Sequence, residues 1–459
     1  MRPLKWGEMP TMERGRRDGL MWLLACVAIS VAWGISIGRG GNAWIDFRAV
    51  YAGTRCLMDG HNPYQVSDLT REYLSEDGQR PDDIPIYRQA IVLFVNMPTT
   101  FVVVAPFAIL PWGSAHVLWM LVTGCAFILS IVLMWGAGAE HTPGVATLLT
   151  CILAVNCASI FAAGNTAGIV VGLCGIAVWC FLKNRFVRVG VVCLGLSLAI
   201  KPHDAGWVWL YFVLAAGENR KRALQSFAIT AAIGLAAVAW VGHTAPNWIH
   251  DWRSNLATIS GPGGMNEPGP NSISGRSIYT VVDLQAAISI FRDDPGFYNA
   301  ASYVCCGALL LVWAIWTLRT KFSVEKAWLA LGAATAFTML ITYHRPWDAK
   351  LVMLAIPSCC MLWAERGRVG KIAFWITTAA VVFGGDLALS VFKLIANSLQ
   401  VNQAGLGEKL LSVVLLRPES IALLVLGLFY LGINLRAGPE LDHAGSVGLN
   451  ESISGEVKA

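Results

Sequence analysis

The chain has 459 residues, of which 56% are hydrophobic and 14% charged, and its mean hydropathy is +0.57. These values exclude a soluble globular domain, which could not cover so much apolar surface. The net charge of +5 is spread over short loops and reports membrane orientation, so no nucleic-acid partner is predicted. Composition therefore predicts an all-α polytopic membrane protein in contact with a lipid bilayer.

The N-terminal segment is charged as far as Asp18 and is followed by an apolar run with no small-residue cleavage site. This pattern predicts an uncleaved first membrane span. A helix needs roughly 17–25 residues to cross a bilayer, and about twelve apolar segments are predicted to be spans, of which 187–200 and 204–217 are short and could be tilted spans or a broken pair. The segments are 20–38, 115–136, 143–163, 167–182, 187–200, 204–217, 222–241, 298–318, 326–343, 347–364, 371–392 and 418–436.

The stretch 91–111, IVLFVNMPTTFVVVAPFAILP, is apolar enough to be a further span. A thirteenth span would place every later basic turn on the wrong side of the membrane. Because Pro98 and Pro106 interrupt the stretch, we predict a juxtamembrane or re-entrant segment that returns to the face it left.

Basic residues predict the orientation, because Lys and Arg gather in cytoplasmic loops. Twelve spans place all the basic turns on one side and both termini in the cytoplasm. Residues 1–436 then form a single transmembrane domain, and the polar tail 437–459 is predicted to be cytoplasmic and disordered. The basic residues are Arg2, Lys5, Arg14, Arg16, Arg17, Lys183, Arg185, Arg188, Arg220, Lys221, Arg222, Arg319, Lys321, Lys326, Arg366, Arg368 and Lys371.

Two large loops face the outside in this topology. The first, 39–114, includes the juxtamembrane stretch, and its part 39–90 carries eight acidic and six basic residues. The second, 242–297, contains GPGGMNEPGPNSISG and is predicted to be irregular. Polar residues at the ends of spans collect on this outer face, and ionisable groups near membrane depth mark functional cavities. The members of this predicted shared site are Asp46, Arg48, Asn165, Lys201, His203, Asn271, Arg276, His344, Arg345 and Asp348.

Three of these residues have a structural alternative to a role in chemistry. Asp46 has apolar neighbours that would raise the pKa of a general base, but Asp is also favoured as a helix N-cap. Lys201 is placed to bind a phosphate, or it is a snorkelling lysine at a helix end. His344 is a group of the cavity or a structural histidine.

Several motifs are absent from the sequence. There is no GxxxxGK[ST], no GxGxxG that opens a helix, no HExxH and no DxD, which argues against ATP-driven transport and nucleotide-sugar donors. Eleven of the twelve Cys lie in apolar segments, and none has metal-ligand spacing. We predict no cofactor, no metal and no disulfide.

The string DFRAVYAGTRCLMDGHNPYQ resembles the signature of the polyprenyl-phosphate-mannose-dependent α-mannosyltransferases, glycosyltransferase family 87 of the GT-C superfamily. APFAILP, GNTAGIVVG, GVVCLGLSLAIKPH, NSISG and YHRPWDAKLVMLAIP resemble later elements of that family, in the family's order. Thr166 replaces the usual Gln, and Tyr87-Arg88-Gln89 stands where the family has Tyr-Pro-Pro. The signature positions are Asp46, Phe47, Tyr51, Ala52, Leu57, Gly60, Pro63 and Tyr64.

The resemblance implies a GT-C-type bundle of about 12 transmembrane helices in the cell inner (plasma) membrane, with an extracytoplasmic active site. It implies transfer of a hexose, with mannose expected, from a polyprenyl-phosphate-linked sugar to a lipid-linked or glycan acceptor with inversion. Asp46 is then the general base. The donor phosphate and sugar would be bound by Lys201, His344, Arg48 and Arg276, and the cavity or acceptor site would include Phe47, Tyr51, Tyr64, Asn165, His203 and Asp348.

Two alternatives to mannosyl transfer stay open at this point. The donor could carry an arabinofuranosyl or glucosyl group. A transporter or flippase of a lipid-linked sugar could use the same charged cavity, although the two halves of the sequence show no internal repeat of the kind such carriers have.

Overall fold

The computed structural model describes residues 9–37, 44–75, 91–270, 272, 281–398 and 405–437. Every regular element in these residues is helical, which confirms the predicted all-α class. Arg276 and Asn271, and the predicted tail after its first residue, lie outside the described residues.

The helices of the first half follow one another closely. In chain order they are α1 (Met9–Ile37), α2 (Ile45–Met58), α3 (Val66–Ser75), α4 (Pro98–Ala108), α5 (Trp112–Ala139), α6 (Pro143–Val155), α7 (Ala158–Ala163), α8 (Thr166–Leu182), α9 (Val187–Ile200), α10 (Pro202–Leu214) and α11 (Gly217–Thr244).

The second half begins with the loop 242–297 and its helices. In chain order the helices are α12 (Trp248–Ser260), α13 (Leu284–Ile288), α14 (Pro295–Arg319), α15 (Val324–Ile341), a 3-10 helix (Asp348–Ala355), α16 (Ile356–Ala364), α17 (Arg368–Phe383), α18 (Asp386–Ser398), α19 (Leu406–Leu416) and α20 (Pro418–Arg436).

Seven helices in the described residues are long and apolar enough to cross a membrane. An eighth span is possible from α17 and α18, which are bent by 66° at a short break. The predicted count of about twelve is therefore not confirmed. The seven candidates are Gly15–Ser36, Trp112–Ala139, Pro143–Ala163, Gly217–Thr244, Pro295–Arg319, Val324–Ile341 and Pro418–Arg436.

The predicted spans 167–182, 187–200, 204–217 and 347–364 correspond to shorter helices that are not among these candidates. The 14 residues of α9 extend about 21 Å at 1.5 Å per residue, against a hydrocarbon core of about 30 Å. The helix α8 is apolar on every side and almost wholly buried, as expected of an inner helix. A Cβ on its Gly172 would lie 2.7 Å from the backbone of Ala126, so α8 packs directly on α5.

The stretch 91–111 contains the short helix α4, whose 11 residues extend about 16 Å. This length is too short for a span and agrees with the predicted juxtamembrane or re-entrant segment. Pro98 begins the helix and Pro106 lies inside it, so neither residue breaks it. The helix packs against α2 and α11 and supports the juxtamembrane helix that carries Asp46.

The two ends of the helical bundle have different chemistry. Asn165 caps the beginning of α8. Lys183 follows the end of α8 and pairs with Glu140, which lies in the turn between α5 and α6. The 17 residues of α8 separate the two ends by about 25 Å. The predicted outer residue Asn165 and the predicted cytoplasmic residue Lys183 therefore lie at opposite ends.

Candidate active site

Asp46 lies in the first turn of α2, and its carboxylate is held by Asn165. The Asn165 side-chain amide donates a hydrogen bond of 2.8 Å to Asp46 Oδ2. The carbonyl oxygen of the same side chain caps α8 by accepting a bond of 2.7 Å from the Ala167 backbone N–H. Because the cap fixes this oxygen, the amide nitrogen points at Asp46. One side chain thus caps a helix and orients the carboxylate.

The N-cap of α2 is Trp44, which makes no side-chain cap, so Asp46 does not serve as the cap. Trp44 has a left-handed backbone with φ of 64°, and its N–H donates to the Ala162 carbonyl at 3.0 Å. This contact fixes the start of α2 beside α7. Asp46 itself is half-buried.

The surroundings of Asp46 favour its action as a general base. Burial raises the pKa of its carboxyl, while the Asn165 hydrogen bond and the positive charges of Arg345 and Lys201 oppose the rise without cancelling it. A carboxylate with a raised pKa accepts a proton more readily. The charges of Arg345 and Lys201 thus act on the Asp46 carboxyl.

Lys201 connects α9 to α10 and is 8% exposed. Its ammonium group contacts the Asp348 carboxylate and lies 3.5 Å from Asp204 Oδ2. The other Asp348 oxygen accepts a hydrogen bond of 2.8 Å from the Arg345 backbone N–H. A snorkelling lysine would reach into water, so the alternative of a snorkelling Lys201 is wrong.

His344 follows α15 and is fully buried. Its Nε2 lies 3.1 Å from Asp204 Oδ1, and His203 Nε2 lies 3.6 Å from the same oxygen. Burial lowers the pKa of His344, but the carboxylates of Asp204 and Asp348 outweigh this effect, so the pKa is raised. The two imidazoles and the carboxylate offer ligand atoms within 4.8 Å of one another, which is the composition of a metal site.

Arg345 connects the 242–297 loop to this cluster by hydrogen bonds. Its guanidinium donates to the Tyr343 hydroxyl at 2.8 Å, to the Met265 carbonyl at 2.9 Å and to the Asn266 side chain at 3.1 Å. Met265 and Asn266 are thereby held beside Arg345.

The structure brings together most of the predicted polar residues. Asp46 and Asn165 form one group, and Lys201, His203, His344 and Asp348 form the neighbouring one. The guanidinium carbon of Arg48 lies 4.8 Å from the Trp112 ring centroid and 5.1 Å from that of Tyr73. Its help to a donor phosphate stays a prediction.

The predicted aromatic residues are packed beneath α2. Phe47 stacks on Trp119 with ring centroids 4.7 Å apart. The Tyr51 hydroxyl donates to the Leu110 carbonyl at 2.9 Å, and the Tyr64 hydroxyl donates to the Asn96 carbonyl at 3.0 Å. These contacts stabilise the juxtamembrane segments, and contact of the three rings with an acceptor stays a prediction.

Asp204 was not among the predicted site residues, although it contacts Lys201, His203 and His344. An Asp in the first turn of a helix is ordinary, which hides it in a single sequence. The available signal was its spacing, because residues three apart on a helix are neighbours and Asp204 is three residues after Lys201.

Comparison with protein families gives one match. The model of glycosyltransferase family 87 matches residues 94–343, more than half of the 459-residue chain. The matched part contains Asn165, Lys201 and Asp204, while His344 directly follows it and Asp46 lies 48 residues before it. Comparisons with curated proteins and with solved structures found no match. With several apolar helices long enough to cross a bilayer, the chain is a membrane glycosyltransferase that belongs to glycosyltransferase family 87.

Proposed function

We propose that the protein transfers a mannosyl group from a polyprenyl-phosphate donor to a hydroxyl of a lipid-linked or glycan acceptor, with inversion at the anomeric carbon. Asp46 removes the proton of the acceptor hydroxyl as the oxygen attacks that carbon. The bond to the phosphate breaks in the same displacement, and the phosphate leaves with the electron pair. No covalent enzyme intermediate forms.

The observation that carries this proposal is the half-buried carboxylate of Asp46. Asn165 orients it, and burial raises its pKa, which are the two properties that a general base needs. The positive charges of Lys201 and Arg345 act on it, so a phosphate bound beside them would present its sugar near Asp46. Preorganised positive charge stabilises a departing phosphate.

The juxtamembrane helices supply a reason for a lipid-anchored donor. Helix α2 and helix α4 pack together, and α4 is too short to span the bilayer, so both can lie at the level of a lipid phosphate. We infer that the enzyme lies in the inner (plasma) membrane with both termini in the cytoplasm and the site outside. The opposite ends of α8, one capped by Asn165 and one beside Lys183, support this orientation.

The test is transfer by the detergent-purified protein with a panel of radiolabelled polyprenyl-phosphate sugars and a panel of lipid and glycan acceptors. We expect product from the mannosyl donor, with an α linkage formed from a β-linked donor. Product from an arabinofuranosyl or glucosyl donor alone would correct the sugar. Movement of labelled donor across vesicles without any product would replace the enzyme by a flippase.

A further inference from the structure

The ligand atoms of His203, Asp204 and His344 have the spacing of a metal site. Asp204 Oδ1 lies 3.1 Å from His344 Nε2 and 3.6 Å from His203 Nε2. A tetrahedral zinc ion with bonds of about 2.0–2.1 Å holds its ligands roughly 3.3–3.4 Å apart. The two observed distances lie on either side of that value.

The tautomer of His344 leaves its inner nitrogen free to bind a metal. Its Nδ1 lies 2.8 Å from the Thr342 carbonyl oxygen, which can only accept, so Nδ1 carries the hydrogen. Metal-binding histidines commonly use this second hydrogen bond to fix the ring. Among the described residues, His344 Nε2 and both Asp204 oxygens are buried without a well-formed hydrogen bond. Two facing lone pairs need a proton or a cation between them.

The second imidazole favours a cation over a proton. A proton between His344 and Asp204 would satisfy one ring, yet His203 Nε2 also faces Asp204 Oδ1, and the two ring centroids are 5.2 Å apart. The His203 side chain is 38% exposed, so an ion can enter from this side. Lys201 lies against the other oxygen, Asp204 Oδ2, and does not occupy the position between the rings.

The charge balance of the cluster leaves a role for a metal ion. The positive charges of Lys201 and Arg345 are balanced by the carboxylates of Asp204 and Asp348. With neutral imidazoles, this group of residues has no surplus positive charge for an anionic phosphate. A divalent ion beside Lys201 would supply it.

We propose that His203, Asp204 and His344 bind one divalent transition-metal ion, with zinc as the best match to two imidazole nitrogens and one carboxylate oxygen. Three protein ligands leave a fourth coordination position open, on the side where His203 is exposed. A phosphate oxygen fits that position. Metal binding is independent of the proposed function, whereas the ion's contact with the donor phosphate rests on it.

The experiment uses the full-length protein in detergent, purified with a tag that contains no histidine, and no sugar donor. Metal content is measured by mass spectrometry after dialysis, and zinc chloride is titrated into chelator-treated protein by calorimetry. We expect about one zinc per chain. His203→Ala should weaken binding by more than about 100-fold, because changes to second-shell partners alone cost 10–100-fold. The exposed position of His203 makes this variant safe for folding.

The matched control is His250→Ala. His250 is also followed by an Asp, with His250 Nδ1 3.4 Å from Asp251 Oδ1, but among the described residues these two do not belong to a cluster of three metal-ligand side chains. This variant should bind zinc like the unchanged protein. Absence of saturable zinc binding, or binding that His203→Ala leaves unchanged, would overturn the site.

The outcomes separate the metal site from the proposed function. A protein that binds zinc through His203 but transfers no sugar from any donor would keep the site and refute the function. A protein that transfers sugar at full rate in chelator and binds no zinc would keep the function and refute the site.

Discussion

Replacement of Asn165 by Ala should move the acid limb of the pH–rate profile of sugar transfer to higher pH. The Asn165 amide donates its hydrogen bond to the carboxylate form of Asp46, and it opposes the rise in pKa that burial causes. A hydrogen bond to a charged group contributes about 1.5–3 kcal/mol. Since one pKa unit corresponds to about 1.4 kcal/mol, the pKa of Asp46 should rise by about 1–2 units.

The sign follows from the role of Asp46 as a base. Transfer needs the ionised carboxylate, so the rate falls as pH drops through the pKa of Asp46, and a higher pKa brings this fall at a higher pH. The assay is kcat/KM for transfer, measured across pH with the purified protein. An unchanged acid limb, or a shift to lower pH, would refute the reasoning.

A control is needed because Asn165 also caps α8. Ser323 caps α15 in the same way, by accepting a hydrogen bond from the Lys326 N–H at 3.2 Å. Ser323→Ala should cost about 1 kcal/mol of stability, as loss of a cap does, without moving the acid limb. Asn165→Asp keeps an oxygen for the cap but replaces the amide donor by a second carboxyl, so it should move the limb at least as far as Ala.

Three further substitutions test the site and the packing around it. Lys201→Met should raise KM for the donor more than it lowers kcat, because the cation that binds the phosphate is lost. Lys201→Arg should restore part of the affinity for the donor, and an equal KM in both variants would contradict a phosphate contact. Gly164→Ala should lower the Tm, because Gly164 has φ of +64° and a Cβ there would lie 3.0 Å from the Cβ of Phe47. Gly60→Ala is the control, because Gly60 has φ of +80° in open space and the substitution carries only the backbone cost of about 1–2 kcal/mol. An equal Tm for the two variants would show that the Phe47 contact is unimportant. Asp386→Ala should destabilise the protein by about 3–5 kcal/mol, because it removes a partner of the buried Lys350. The Lys350 ammonium group lies 3.5 Å from Asp386 Oδ1, and Lys350 is 1% exposed. An unchanged melting curve would contradict this loss of stability.

The fold class was predictable from sequence because apolar runs in membrane proteins are long. The number of spans was not, since hydropathy does not distinguish a helix that faces lipid from a short helix buried in the bundle. The helix α8 is the example, with apolar residues on all sides and 17 residues in length. The break between α6 and α7 could not be predicted either. The backbone N–H groups freed at this break bond to residues that are distant in sequence, such as Asp386, which accepts from the Ser159 N–H at 2.8 Å.

The candidate site was predictable where a residue type is unusual for its position. Lys201 and His344 at the ends of apolar segments, and Asp46 among apolar neighbours, carry such a signal. Asp204 did not, because an acidic residue in the first turn of a helix is common. Phe47 and Tyr64 show the opposite limit, since a motif position does not tell whether an aromatic ring lines a cavity or packs beneath it.

The most direct test of the central claim is sugar transfer by Asp46→Asn, measured together with binding of the polyprenyl-phosphate donor. Asn keeps the size of the side chain but cannot accept the acceptor's proton, and a general base contributes about 10²–10⁴-fold to a rate. We expect transfer to fall by about that factor while the Kd of the donor changes little. Transfer at close to the unchanged rate would contradict the assignment of Asp46 as the base.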